Sequence, residues 1–277
     1  MNDPKEIMLK LSDIQSSADT RQLNIDKVGV KNIRYPIVVK DRHQGSQHTI
    51  ASVNMYVNLP HQFKGTHMSR FLELLAEHDR AISVDSLPDL LRRIQKKLNA
   101  REAHIDLEFP YFILKQAPVS KLESMMDYQV RLSGVVQDDL YRMILRVEVP
   151  VTTLCPCSKE IARFGAHNQR SIVTVTLRFK DFIWVEEVIE WVEKNASCDL
   201  FAILKRPDEK YVTERAYENP RFVEDMVRSV AADLQADPRI VWYTVESENF
   251  ESIHNHSAYA FIEGGPESEV SCASVKL

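Results

Sequence analysis

The stretch VTTLCPCSKEIARFGAHNQRS, from Val151 to Ser171, places two cysteines two positions apart and a histidine twelve residues after the first. Pro156 separates the cysteines, and the residue before a proline is held in an extended or turn geometry. The segment then becomes polar, as a packed core segment would not. The spacing also differs from the C-x2-C knuckle of structural zinc sites, and no second close pair exists to complete one. A mixed site, in which one cysteine acts with histidine and carboxylate, therefore stays open.

The composition of the chain excludes several classes of protein. With 277 residues, 44% of them hydrophobic, the chain can form one large domain or two ordinary ones. The net charge of -5 gives no general attraction for nucleic acid, so we expect no nucleic-acid partner. No apolar run approaches the roughly 20 residues of a membrane span. We therefore expect no membrane partner. Four cysteines are too few for a disulfide framework, which predicts a protein of the reducing cytoplasm.

Hydrophobic periodicity predicts an α+β protein. Residues 31–148 are predicted to form strand-strand-helix-helix-strand-strand, and residues 149–262 repeat a similar order of elements. Residues 1–30 are interpreted as an N-terminal arm and residues 263–277 as a flexible tail. The seven glycines include no G-x-G-x-x-G or Walker A loop, so any nucleotide must be bound in another way.

Two segments show this periodicity clearly. In QRSIVTVTLRF, alternation predicts a strand with Val173, Val175 and Leu177 on one face and Ile172, Thr174 and Thr176 on the other. In WVEEVIEWVEKNA, the apolar positions predict a helix with one stripe, formed by Val185, Val188, Ile189 and Val192.

Histidines and one carboxylate are candidates to complete a mixed metal site. His167 comes just before a predicted strand, where a ligand can be held rigidly, although a surface histidine is the simpler reading. His254 and His256 are two apart, so they would point the same way on an extended segment. Glu209 lies in KRPDEKYVTERAYENP, which is interpreted as an irregular charged stretch where surface charge is the alternative.

Two further segments are typical of anion or ligand binding. Glu224 lies in the first turns of a helix that follows Pro220, where its carboxylate could cap the helix or bind a ligand with two N–H groups, as guanine has. KGTHMSRF, from Lys64 to Phe71, opens a predicted helix with cations that could bind phosphate. An ordinary basic helix start explains this segment equally well.

Taken together, the segments CPCSKEIARFGAHNQRS, KGTHMSRF, YVTERAYENPRFVEDMVR and HNHSAYA resemble the signature segments of the type IB GTP cyclohydrolases, a prokaryotic family. The resemblance covers about residues 30–262. It implies the tunnelling fold, with two fused units of antiparallel sheet in one chain, and a homotetramer whose active sites lie between subunits. It also implies conversion of GTP and water to 7,8-dihydroneopterin triphosphate and formate, the first step of tetrahydrofolate biosynthesis.

The resemblance also implies roles for individual residues. Cys155, His167 and Glu209 would bind one divalent metal, which could be zinc, manganese or iron, with His254 as a further candidate ligand. Cys157 and His256 would lie behind the ligands or transfer protons. Glu224 would hold the guanine. Because the chain is acidic overall and has no Gly-rich loop, the triphosphate is expected to contact local clusters of basic residues, which are Lys64, His67, Arg70 and Lys159.

Three alternatives stay open at this point. An archaeal-type cyclohydrolase that makes a cyclic-phosphate pterin is the nearest enzyme. A tunnelling-fold nitrile reductase would use a cysteine nucleophile and NADPH, whereas this chain carries the histidine and glutamate set of a metal hydrolase. A catalytically silent protein that binds metal or purine would bind GTP without releasing formate.

Overall fold

The computed structural model describes residues 15, 17–77, 82–138 and 140–267, which form ten strands and six α-helices. In chain order these are β1 (Ile25–Asp41), β2 (Gly45–Leu59), α1 (Ser69–Ala76), β3 (Ile82–Ser83), α2 (Leu87–Leu98), β4 (Glu102–Gln116), β5 (Glu123–Gln137), β6 (Leu140–Leu154), α3 (Pro156–Ile161), β7 (Asn168–Phe179), α4 (Val185–Asn195), β8 (Cys198–Asp199), α5 (Arg206–Glu218), α6 (Val223–Ala236), β9 (Ile240–Asn249) and β10 (Ala258–Gly264). None of the described helices is both long and apolar enough to cross a membrane.

The chain divides into two compact units. The first comprises the described residues within 1–39, 50–107 and 133–142, and the second comprises those within 40–49, 108–132 and 143–277. Only the second unit takes segments from either side of residue 148, while β4, β5 and β6 each contribute residues to both units. The predicted tandem units, 31–148 and 149–262, were defined by a repeated order of strands and helices and not by compactness. Their boundaries stay a prediction.

In the first unit, α1 and α2 pack together beside the β4-β2-β1-β3 part of the sheet. Their buried faces consist of Phe71, Leu74 and Leu75 on α1 and Leu87, Leu90, Leu91 and Ile94 on α2. The short strand β3 pairs with β1 in parallel. Strand β1 begins at Ile25, inside the segment predicted as an arm. The sequence did not indicate this start, because the first half of the strand is mostly exposed and shows little hydrophobic alternation. Residues 1–14 and 16 of that arm lie outside the described residues.

In the second unit the strand order is β10-β9-β7-β6-β5, and β8 also pairs with β6. The pairs β10–β9, β9–β7 and β7–β6 are antiparallel. Helix α6 packs on β9 and β10 and against α4. On β7 the predicted alternation is confirmed, since Val173, Val175 and Leu177 share one face and are fully buried. The core of this unit therefore lies between the sheet and these helices, and the end of β6 lies beside the start of β7.

Candidate active site

Cys155 and His167 meet where β6 ends and β7 begins. Leu154 pairs with Asn168 across the two strands, and the Cys155 amide N–H donates to the His167 carbonyl at 3.1 Å. Cys155 is extended, with φ -68° and ψ 117°, as Pro156 requires, and the short helix α3 begins at that proline. The predicted closeness of these two residues in space is thus produced by the strand register.

Ser158 holds the two residues in place. Its Oγ donates to the Cys155 carbonyl at 3.1 Å and accepts from the His167 amide at 3.2 Å. Its own amide N–H donates to the Cys155 Sγ at 3.4 Å. A thiolate is stabilised by such a donor, so this arrangement suits a metal-binding sulfur. Cys155 is half-buried, whereas Cys157 is exposed to solvent.

The imidazole of His167 is half-buried and contacts two oxygen atoms. Its Nδ1 lies 3.1 Å from Oε1 of Gln169 and 3.7 Å from Oε2 of Glu251. Glu251 lies in the loop that follows β9. The first residue of that loop is Phe250, whose amide donates to the Arg170 carbonyl at 3.0 Å and so fixes the loop start. Sequence reasoning missed Ser158, Gln169 and Glu251. The available signal for Gln169 was a polar residue at an inward position of β7.

His254 and His256 lie on this same loop with their rings stacked. The ring centroids are 5.1 Å apart and the planes differ by 19°. Both side chains are exposed, and the segment consists of bends, because β10 begins only at Ala258. The two histidines therefore lie on a loop and not on an extended segment, although their rings do lie side by side.

Glu209 lies in the first turn of α5, so the prediction of an irregular stretch there was wrong. Pro207 at the helix start and the buried Asp208, which accepts the Lys205 amide N–H at 2.8 Å, explain why a helix forms. Burial raises the pKa of Asp208, but hydrogen bonds from Ser120 and from backbone amides outweigh it and hold that pKa below its usual range. These bonds anchor α5 and leave Glu209 exposed.

The described residues contain no group of three or more histidine, cysteine, aspartate or glutamate side chains placed to hold a metal. Cys155 and His167 adjoin through the backbone, but Glu209 and His254 are not grouped with them in one chain. The four-ligand set stays a prediction.

Glu224 and Asp225 are adjacent at the start of α6, but only Asp225 bonds to the helix end. The helix begins at Val223, three residues after Pro220, and the Asp225 Oδ2 accepts the Phe222 amide N–H at 2.9 Å. Asp225 therefore caps the helix. The exposed carboxylate of Glu224 has no hydrogen-bond or ion-pair partner within the described part of the chain.

The predicted phosphate contacts lie in both units. Lys64 and His67 precede α1, and of the three first-unit cations Arg70 alone belongs to the helix, so the prediction that they open it together was wrong. The Arg70 Nη1 donates to the Lys97 carbonyl at 3.4 Å. In the second unit, the Lys159 Nζ donates to the Tyr217 carbonyl at 2.5 Å and lies 4.4 Å from the centre of that ring.

Comparison with known proteins agrees with the predicted family and fold. The family model described as "Type I GTP cyclohydrolase folE2" matches residues 11–260. GTP cyclohydrolase FolE2 of Magnetococcus marinus is 69% identical over 260 residues, covering 94% of this chain and 98% of the relative. The enzyme of the same name from Nitrosococcus oceani is 59% identical over 253 residues, covering 91% and 95%.

Among solved structures, a uricase from Bacillus fastidious matches with a TM-score of 0.53 and 6% identity, covering 91% of this chain and 96% of the uricase. Urate oxidases have the tunnelling fold, so the likeness confirms the predicted fold and indicates nothing more. The chain belongs to the FolE2 family of type I GTP cyclohydrolases, which is the type IB family.

Proposed function

We propose that this chain is a metal-dependent GTP cyclohydrolase that opens the guanine imidazole ring at C8 and produces 7,8-dihydroneopterin triphosphate and formate. The observation that carries the proposal is the junction of Cys155 and His167, in a chain 69% identical to a named GTP cyclohydrolase over 94% of its length. Free thiols at Cys155, Cys157 and Cys198 support a reducing compartment, so we place the reaction in the cytoplasm.

The donor atoms at the junction fit one divalent metal. A half-buried thiol that already accepts an N–H, and an imidazole whose Nδ1 is occupied by Gln169, leave the Cys155 Sγ and the His167 Nε2 for coordination. Glu209 and His254 would complete the set, and zinc, manganese and iron all accept these ligands. When bound, such a metal lowers the pKa of a coordinated water toward about 7 and so makes hydroxide available at neutral pH.

Side chains of the protein then orient the purine and move protons. The unpartnered carboxylate of Glu224 can accept from both N1–H and the N2 amino group of guanine, which positions C8. His256, whose ring stacks on His254 in the exposed loop, would protonate N7 as the ring opens. The exposed Cys157, two residues after Cys155, is a further proton-transfer candidate.

The triphosphate needs local cations, because the chain has a net charge of -5. Lys64, His67 and Arg70 supply them in the first unit, and Lys159 supplies one beside Cys155. We propose that the first-unit cations serve the site of a neighbouring chain in a homotetramer. A site shared between chains would also explain why Glu209 is not grouped with Cys155 and His167 in one chain.

The phosphorus NMR spectrum of the product tests this function against its nearest alternative. Metal-loaded protein incubated with GTP should give a fluorescent pterin that retains three phosphates. A cyclic phosphate would identify the archaeal-type reaction instead. GTP binding without any formate would mean that the protein is catalytically silent.

A further inference from the structure

A row of buried polar side chains leads from the inner face of the sheet to His167. Thr153 and Ser171 are 0% exposed and Gln169 is 7% exposed, although the neighbouring inward positions are apolar. Thr153 lies directly opposite Gln169 in the β6–β7 register. The Gln169 Nε2 donates to the Thr153 Oγ1 at 2.9 Å, and Thr153 Oγ1 is 2.7 Å from Ser171 Oγ. Burying these groups costs free energy unless they are bonded, so each one constrains the next.

The Gln169 amide lies between the row and the histidine. Its Nε2 faces the Thr153 Oγ1, and its Oε1 lies 3.1 Å from the His167 Nδ1. A second oxygen supports this orientation, since the Glu251 carboxylate approaches the same Nδ1 to 3.7 Å. If the amide were turned over, the Nδ1 would have to carry a lone pair facing a carboxylate. Two acceptors at one ring nitrogen therefore place the hydrogen there.

We propose that Gln169 is a positioning residue that holds His167 as the Nδ1–H form, with the lone pair on Nε2 free for a metal ion. The inference rests on the proposed metal role of His167. It extends that role because a free imidazole exchanges between two forms, and a metal binds the Nε2 only in one of them. Thr153 and Ser171 act through Gln169 by fixing its amide.

Zinc affinity of the full-length protein, measured by competition with a chromogenic chelator, tests the proposal. Gln169→Leu removes the acceptor and should weaken zinc binding by about 10–100-fold. Gln169→Glu keeps an acceptor facing the Nδ1 and should stay within roughly threefold of the parent. Thr153→Val keeps the shape but frees the amide, so it should also weaken binding. Thr174→Val is the matched control, a buried threonine on β7 on the opposite face from Gln169, and should change nothing.

If Gln169 had only a structural role, Gln169→Glu would not restore zinc affinity. Thermal unfolding of the metal-free variants checks that they fold.

Nitrogen-15 NMR of the metal-free protein with labelled histidine gives a reading that needs no metal. The parent should show the Nδ1–H form at His167, and Thr153→Val should show a mixture. A parent in the Nε2–H form, or Gln169→Leu binding zinc as the parent does, would overturn the inference. Zinc binding in the parent that does not need Cys155 would instead overturn the proposed function.

Discussion

Replacing Glu224 with glutamine should weaken GTP binding without loosening the helix on which the residue lies. The Glu224 carboxylate has no partner in the described chain, so the change removes no internal bond. A hydrogen bond to a charged group is worth about 1.5–3 kcal/mol, which corresponds to a loss of affinity of about 10–150-fold. The lost interaction with the helix dipole costs only about 0.3–1 kcal/mol of stability at an exposed position.

Asp225 supplies the matched control at the next position. Its carboxylate caps α6 at 2.9 Å, so Asp225→Ala should cost about 1 kcal/mol of stability. It should lower the melting temperature by about 2–4 °C while leaving GTP affinity within roughly threefold. The assay is calorimetric titration with GTP, and metal-free protein is used so that GTP is not turned over. Titration with ATP is the control, because ATP has the same triphosphate but lacks the guanine base. If Glu224→Gln binds GTP as tightly as the parent, Glu224 does not hold the guanine.

Three other changes test separate parts of the structure. Cys155→Ser should abolish the binding of one metal per chain while Cys157→Ser keeps it; equal metal content, measured by plasma emission, would contradict the ligand choice. Arg70→Ala and Cys155→Ala should each be inactive, yet co-refolded mixtures should regain part of the activity; mixed oligomers that stay inactive would mean that each chain builds its site alone. Arg239→Leu should cost roughly 1–2 kcal/mol at pH 7 in urea unfolding, discounted for partial exposure. The Arg239 guanidinium holds the pKa of Asp237 below its usual range, so this stabilisation is present above about pH 4 and is lost as the pH falls further. The difference in free energy of unfolding between the parent and the variant should therefore narrow below about pH 4. A difference that widens there would refute this explanation.

Most of the fold could be predicted because period-two and helical patterns are local. The inner face of β7 follows directly from alternation, and the buried stripe of α4 contains Val188, Ile189 and Val192 as predicted. The same helix also buries Glu186, which the stripe does not explain. Its carboxylate accepts from the Tyr111 hydroxyl at 2.7 Å and from the Arg42 amide at 2.8 Å. Those partners are 75 and 144 residues away in sequence, so no local pattern could indicate them.

Local sequence patterns predict only part of the candidate site. The meeting of Cys155 with His167 depends on one hairpin-like junction, and the local sequence from Pro156 to Asn168 encodes it. The α5 helix was missed because it buries little beyond Asp208 and Ala216, so it has no apolar stripe. Its start signals, a proline and an acidic residue in the first turn, were nevertheless present. Gln169 was missed because its role depends on Thr153 across the strands.

The fate of C8 tests the central claim most directly. Metal-loaded protein incubated with GTP labelled with carbon-13 at C8 should release labelled formate, with one formate for each pterin triphosphate formed. Metal-free protein and Cys155→Ala should release none. A pterin that retains the labelled carbon, or formate release that is unaffected by the loss of Cys155, would contradict a hydrolytic opening of GTP at this site.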